Sequence, residues 1–175
     1  MKVAVVIILC VILLGAVIMF AKTQNQSPED TYLRIHIRAN SNDATDQSVK
    51  YKVKESIVEY MSPKLNGVSD KSQAMAILAD NIAGMKSVAD KVLAQNGYDY
   101  KSTVSIRQEE FPVRTYGDLT LESGVYDALI IELGSGKGDN WWCVVFPPLC
   151  FVGEESDNFE YKSFLSETYN KIANK

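Results

Sequence analysis

Two consecutive prolines interrupt a dense apolar and aromatic run, Trp141-Trp142-Cys143-Val144-Val145-Phe146-Pro147-Pro148-Leu149-Cys150-Phe151. Proline locks φ, donates no backbone hydrogen bond and drives the residue before it out of the helical region. Neither a helix nor a central strand can run through Pro147 and Pro148, so the chain turns there. Cys143 and Cys150 flank that turn, near enough in sequence for a disulfide to staple a hairpin in an oxidising compartment; the alternative is a pair of buried, reduced thiols. A strand alternates its faces, so if Trp141, Cys143 and Val145 point one way, Trp142, Val144 and Phe146 point the other. The core takes one set. The aromatic area left over is either buried as well or displayed to a partner, for which Trp and Tyr are favoured anchors.

The compartment is read from the other end, where Val3 to Ala21 is apolar and uncharged and follows Met1-Lys2. At about 1.5 Å per residue such a run nearly spans a bilayer core, and it exceeds the apolar region of an ordinary cleaved signal. A cut after Ala21 would put Met19 where a small residue is wanted. An uncleaved anchor over residues 1–21 is therefore preferred to a cleaved signal, and in either case the remainder is exported. Lys2 and the terminal amine favour the cytoplasmic side. Cys10 follows Leu9 inside the apolar run, unlike a lipid-modified cysteine. Residues 22–30 are polar and read as a tether, which leaves residues 31–175 as one exported domain. The chain carries 22 acidic and 18 basic residues, a formal net charge of −4, with the bases interspersed among acids. That balance argues against nucleic acid as a partner.

Within the domain, Leu33, Ile35 and Ile37 alternate with Arg34, His36 and Arg38, which predicts a strand with a polar, cationic outer face. Asp46 is expected to cap a helix carrying Val49, Val53, Ile57 and Tyr60 at helical spacing, stopped by Ser62-Pro63. A second helical region over residues 72–96 ends at Gly97, with Asn81 or Gly84 as a break point. Beyond it the period becomes two: Val104 and Ile106 point inward, and residues 115–121, 125–133 and 141–146 read as further strands of an antiparallel meander. Tyr161, Phe164, Leu165, Thr168, Tyr169 and Ile172 mark a last amphipathic helix. The order β-α-α-β-β-β-β-α is that of an α+β domain whose mostly antiparallel sheet is covered by helices on one face.

Catalytic signals are thin. His36 with Cys143 or Cys150 would be the pair that makes a thiol hydrolase or redox protein, since an imidazole can activate a thiolate. Thiols bracketing a turn in an exported domain more often form a bridge, and a lone histidine on a polar strand face is by default solvated or hydrogen-bonded. One histidine cannot build a histidine metal cluster. Gly134-Ser135-Gly136-Lys137-Gly138 lacks phosphate-loop spacing and precedes a strand, and residues 40–46 miss the glycine and closing glutamate of a calcium loop. No catalytic residue, cofactor, metal or small-molecule substrate is expected.

Leu33-Arg34-Ile35-His36, Ala39-Asn40-Ser41, Asp46-Gln47, Lys50 to Lys54, Phe111-Pro112, Thr115-Tyr116-Gly117-Asp118-Leu119-Thr120-Leu121, Gly136-Lys137-Gly138 and Asn140 to Phe151 together resemble stage II sporulation protein R of endospore-forming bacteria, over most of residues 33–152. Asn42 stands where that family usually has Asp, Arg38 where an aliphatic residue is common, and the anchor and the tail after Gly153 match loosely. The resemblance implies a signalling protein made in the forespore and exported to the space between the two membranes. There it would trigger, by binding to its external part, a membrane-embedded aspartic protease of the mother-cell membrane that processes a sigma-factor precursor. The candidate partner-binding residues are Arg34, His36, Asn40, Tyr116, Trp141, Trp142, Phe146, Pro147, Pro148 and Phe151, with residues 3–21 in the membrane.

Overall fold

The computed structural model describes residues 28–150; the apolar run of residues 3–21, most of the tether, Phe151 and the expected last helix lie outside the described residues. Among the described residues no helix is long and apolar enough to cross a membrane. The elements are α1 (Pro28–Thr31), β1 (Leu33–Arg38), α2 (Ala44–Leu65), α3 (Lys71–Asp80), α4 (Ile82–Gln95), β2 (Ser102–Phe111), β3 (Arg114–Tyr116), β4 (Leu119–Leu121), β5 (Gly124–Leu133) and β6 (Asn140–Phe146). This is the mixed α+β composition that the periodicities predict.

Local chemistry explains the helix ends. Asp70 accepts from the Gln73 backbone N–H while the Gln73 side chain accepts from the Ser69 N–H, a reciprocal cap that starts α3. Gly97 at φ +81° ends α4, with the Tyr98 N–H reaching back to the Leu93 carbonyl, the six-to-one bond of a glycine-terminated helix. The break between α3 and α4 falls at Asn81, whose amide donates to the Ile77 carbonyl and accepts from the Tyr60 hydroxyl. Pro63 does not stop α2, which runs on to Leu65. It lies in the last turn, where only one backbone bond is forfeited, and continuing delivers Leu65 to the core. Nor does Asp46 cap that helix; Asp43 occupies the cap position, and Asp46 turns inward.

Four strands form one sheet in the order β2-β5-β1-β6, and β3 and β4 form a separate hairpin turning at Gly117, φ +59°. The expected single strand over residues 115–121 is therefore two, and the expected meander is corrected: β1 lies between β5 and β6, parallel to the former and antiparallel to the latter. The loop from β5 to β6 crosses the end of β1 and is fastened to it, with Gly138 N–H donating to the Ala39 carbonyl at 2.8 Å. The core lies between α2, α3, α4 and one sheet face. Val53, Ile57, Met61, Leu78, Met85 and Leu93 pack there against Leu33, Ile35, Ile37, Leu129 and Ile131.

Candidate partner-binding face

Alternation along β1 turns Arg34, His36 and Arg38 to the face opposite the helices. Expected as an outer face, it is buried: Arg34 and His36 are both 0% exposed, because β1 is central and its neighbours supply cover. Register sets Arg34 beside Ala128 and Val144, and His36 beside Ile130 and Trp142. Phe111, Tyr126, Ala128 and Ile130 form a second, smaller core on this side.

Arg34 is boxed by rings. Its guanidinium carbon lies 4.2 Å from the centroid of Phe111 and 4.7 Å from that of Tyr126, and one nitrogen donates to the Tyr116 hydroxyl at 3.2 Å. Cation–π attraction of this kind strengthens on removal from water. The Tyr126 hydroxyl donates to the Glu122 carbonyl. The His36 ring stacks on Trp142, centroids 4.8 Å apart and planes 13° apart, and tilts against Phe111 at 5.5 Å. Asn140 stands near the imidazole without completing a hydrogen bond, and both ring nitrogens are unpartnered. Burial foremost, then the Arg38 charge, pushes the imidazole down to about 4, so it is neutral at physiological pH. Arg114 comes from the hairpin and places its guanidinium 5.3 Å from the Trp142 centroid.

A charged rim continues the face. Arg38 donates to Glu109 at 2.6 Å and to Glu132 at 3.0 Å, and Arg107 to Glu109 at 3.0 Å. Burial works to raise the Glu109 carboxyl, but the bonds from Arg107 and Arg38 outweigh it and hold it below the usual range.

The other expected site residues go elsewhere. Asn40 belongs to a polar corner that joins the end of β1, the start of α2 and the loop over residues 134–139. Its amide nitrogen donates to Asp46 and its amide oxygen accepts from the Ser135 N–H. Asp46, 6% exposed, also accepts from the Ser41 and Tyr100 hydroxyls. Burial pushes its carboxyl up and these three donors more than reverse it. Lys50 closes the corner, donating to the Gln47 side chain and the Asp139 carbonyl. Asn40 is thus a bracket within the fold. Trp141 faces the helices, where the Lys54 ammonium stands 5.9 Å from its centroid, and Phe146 is 7% exposed in the helix-side core. Pro147 and Pro148 are half-buried in the turn after β6.

Cys143 and Cys150 are brought together as a pair, with Cα atoms 6.5 Å apart, a separation that a disulfide spans. Cys143 pairs in register with Ile35 and shares the helix-side core with it, whereas His36 lies on the other face. A histidine cannot activate a thiolate through a sheet, so the thiol–imidazole pair is not assembled.

Arg34, His36 and Trp142 share this layer with Phe111, Tyr126 and Arg114, three residues outside the expected site; Tyr116 reaches it only through its hydroxyl, its ring packing with the helix-side core. A signal for Arg114 was present in the composition: the chain has four arginines, Arg34, Arg38, Arg107 and Arg114, and all belong to this face.

A family model described as Stage II sporulation protein R (spore_II_R) matches residues 29–156. The chain is 29% identical over 185 residues to Stage II sporulation protein R of Bacillus subtilis (strain 168), an alignment that takes in 100% of this chain and 80% of that protein. No solved structure matches it.

Proposed function

The chain belongs to the stage II sporulation protein R family, and from that membership we propose that it is an exported sporulation signal that works by binding and not by catalysis. Residues 3–21 carry it into or across the forespore membrane. The domain then meets the external part of a membrane-embedded aspartic protease in the mother-cell membrane and favours the state of that protease that processes a sigma-factor precursor. Binding can shift that equilibrium only through a difference in affinity between the two states. Moving a receptor from almost wholly inactive to almost wholly active takes a preference of about 10⁴-fold, which a preorganised surface supplies better than a pliable one.

The observation that carries this reading is the convergence of family-matched residues 34, 36 and 142 on the sheet face opposite the helices, where His36 stacks on Trp142 and Arg34 reaches the Tyr116 hydroxyl. A thiol-dependent enzyme is disfavoured by the sheet that stands between His36 and Cys143. The test is to place the protease and its precursor substrate in a host lacking other sporulation proteins, with and without the full chain exported to the opposite side. Processing that needs the chain is the expected result. Processing that is indifferent to it, or substrate turnover by the purified chain alone, sinks the proposal.

A further inference from the structure

All four arginines of a chain with formal net charge −4 are gathered on one face. Arginine differs from lysine in offering a flat fork that matches a carboxylate and stacks on aromatic rings, so their gathering points to recognition of that group. Arg38 and Arg107 are tied to Glu109 and Glu132. Arg34 and Arg114 have no carboxylate partner among the described residues. Two of the three guanidinium nitrogens of Arg34, and Nε of Arg114, are buried without a hydrogen bond, and both groups lie over rings instead. A cation removed from water with its donors unfilled is unfavourable, and the ring faces offset only part of that. A carboxylate arriving here meets donors that are already desolvated and held in place, the condition under which charge-assisted bonds are strongest.

We propose that Arg114, the part-exposed member of the pair, seats a carboxylate from an acidic segment of the protein partner beside the Trp142 ring, with the buried Arg34 charge behind that layer. This rests on the partner-binding reading above and gives that contact its chemistry: an Asp- or Glu-bearing peptide. Anionic lipid is the competing source of acidic groups. Membrane attraction works through exposed basic clusters, whereas Arg38 and Arg107 are paired with Glu109 and Glu132 and the chain as a whole is acidic.

The test uses the full chain. Trp142 fluorescence, read in a W141F background, is titrated with tetraglutamate and with tetraglutamine at millimolar concentrations. Tetraglutamate alone should give a saturable change, weakened at least tenfold by R114Q and only partly restored by R114K. K91Q, which removes one exposed positive charge from α4, should change it less than twofold. Common melting temperatures verify that the variants fold. An equal response to both peptides, no saturable response to tetraglutamate, or equal losses in K91Q and R114Q overturns the seat. Binding to phosphatidylserine vesicles that needs Arg114, without a peptide response, assigns the face to lipid and overturns it as well. In the protease assay, triggering by wild type but not by R114Q supports the seat, and equal triggering by both refutes it while leaving the signalling role standing. No triggering by wild type removes the signalling role itself.

Discussion

Taking the protein from pH 7 to pH 4.5 puts a charge on a side chain that the fold holds neutral. His36 is 0% exposed, its ring nitrogens have no acceptor, and burial followed by Arg38 places its folded value at about 4 against 6.5 in the unfolded chain. Arg107 adds to the depression, and Glu109 and Asn140 oppose it. Between those two values the unfolded chain binds more protons than the folded one. The contribution is therefore fully present above about 6.5 and is lost as the pH falls towards 4. At about 1.4 kcal/mol for each tenfold difference in proton affinity, the loss over the whole window is about 3 kcal/mol, most of it complete by pH 4.5. Asp46, Asp90 and Glu109 are held below their ordinary values, so their contributions fall only when the pH drops below the carboxylate range of about 4.5, which leaves the upper window to His36. Urea unfolding of wild type and H36F at pH 7, 6, 5 and 4.5 isolates the effect, because phenylalanine keeps a ring against Trp142 and cannot titrate. Wild type should weaken by about 2–3 kcal/mol and H36F by less than about 1 kcal/mol. Parallel curves for the two proteins, or an imidazole that titrates near 6.5 by NMR, would refute the reasoning.

The polar corner should be expensive to break: D46A leaves the Asn40, Ser41 and Tyr100 donors unfilled and should cost about 3 kcal/mol in chemical denaturation, with a loss below about 1 kcal/mol counting against it. An added Cβ at Gly138 would run into the Ser41 carbonyl and stand 2.9 Å from the Ala39 Cβ, so G138A should lower stability by about 1–3 kcal/mol; an unchanged melting temperature would mean that the loop moves aside. F146A should cost about 3–5 kcal/mol because it opens a cavity in the helix-side core, whereas a variant as stable as wild type would mean that Phe146 lies at the surface. Reduction, or the C143S/C150S double variant, should remove about 2 kcal/mol through the short loop closed across a sequence separation of 7; thiols that react freely with a maleimide in the untreated, folded protein would argue that no bridge forms.

Much of the candidate site was legible one residue at a time and illegible as a group. Arg34, His36, Tyr116 and Trp142 stand in segments whose residue order resembles a known family, but nothing in their spacing says that they meet, since β1 and β6 are joined by strand pairing and the hairpin, a separate sheet, reaches Arg34 through the Tyr116 hydroxyl. Asn40 carried the same sequence signal and proved to be a bracket for Asp46 and Ser135. A hydrogen-bonding side chain near a turn reads alike whether it faces a partner or its own fold. Phe111 and Tyr126 read as ordinary strand aromatics in the sequence, and only the assembled sheet sets both rings against the Arg34 guanidinium.

Local physics already fixes the alternation of β1, the helical face of α2, the stop at Gly97 and the turn at Pro147-Pro148, because each depends on torsions and periodicities within a few residues. Those same few residues cannot say which strand lies beside which. Period two assigns a side chain to a face and leaves the neighbour open, so the expected meander and the observed insertion of β1 between β5 and β6 fit one hydrophobic pattern equally well. Only the assembled sheet decides that β1 is central, and centrality is what turns Arg34 and His36 from a wet cationic edge into a buried stack. The same assembly sets Cys143 and His36 on opposite sides of one layer of backbone.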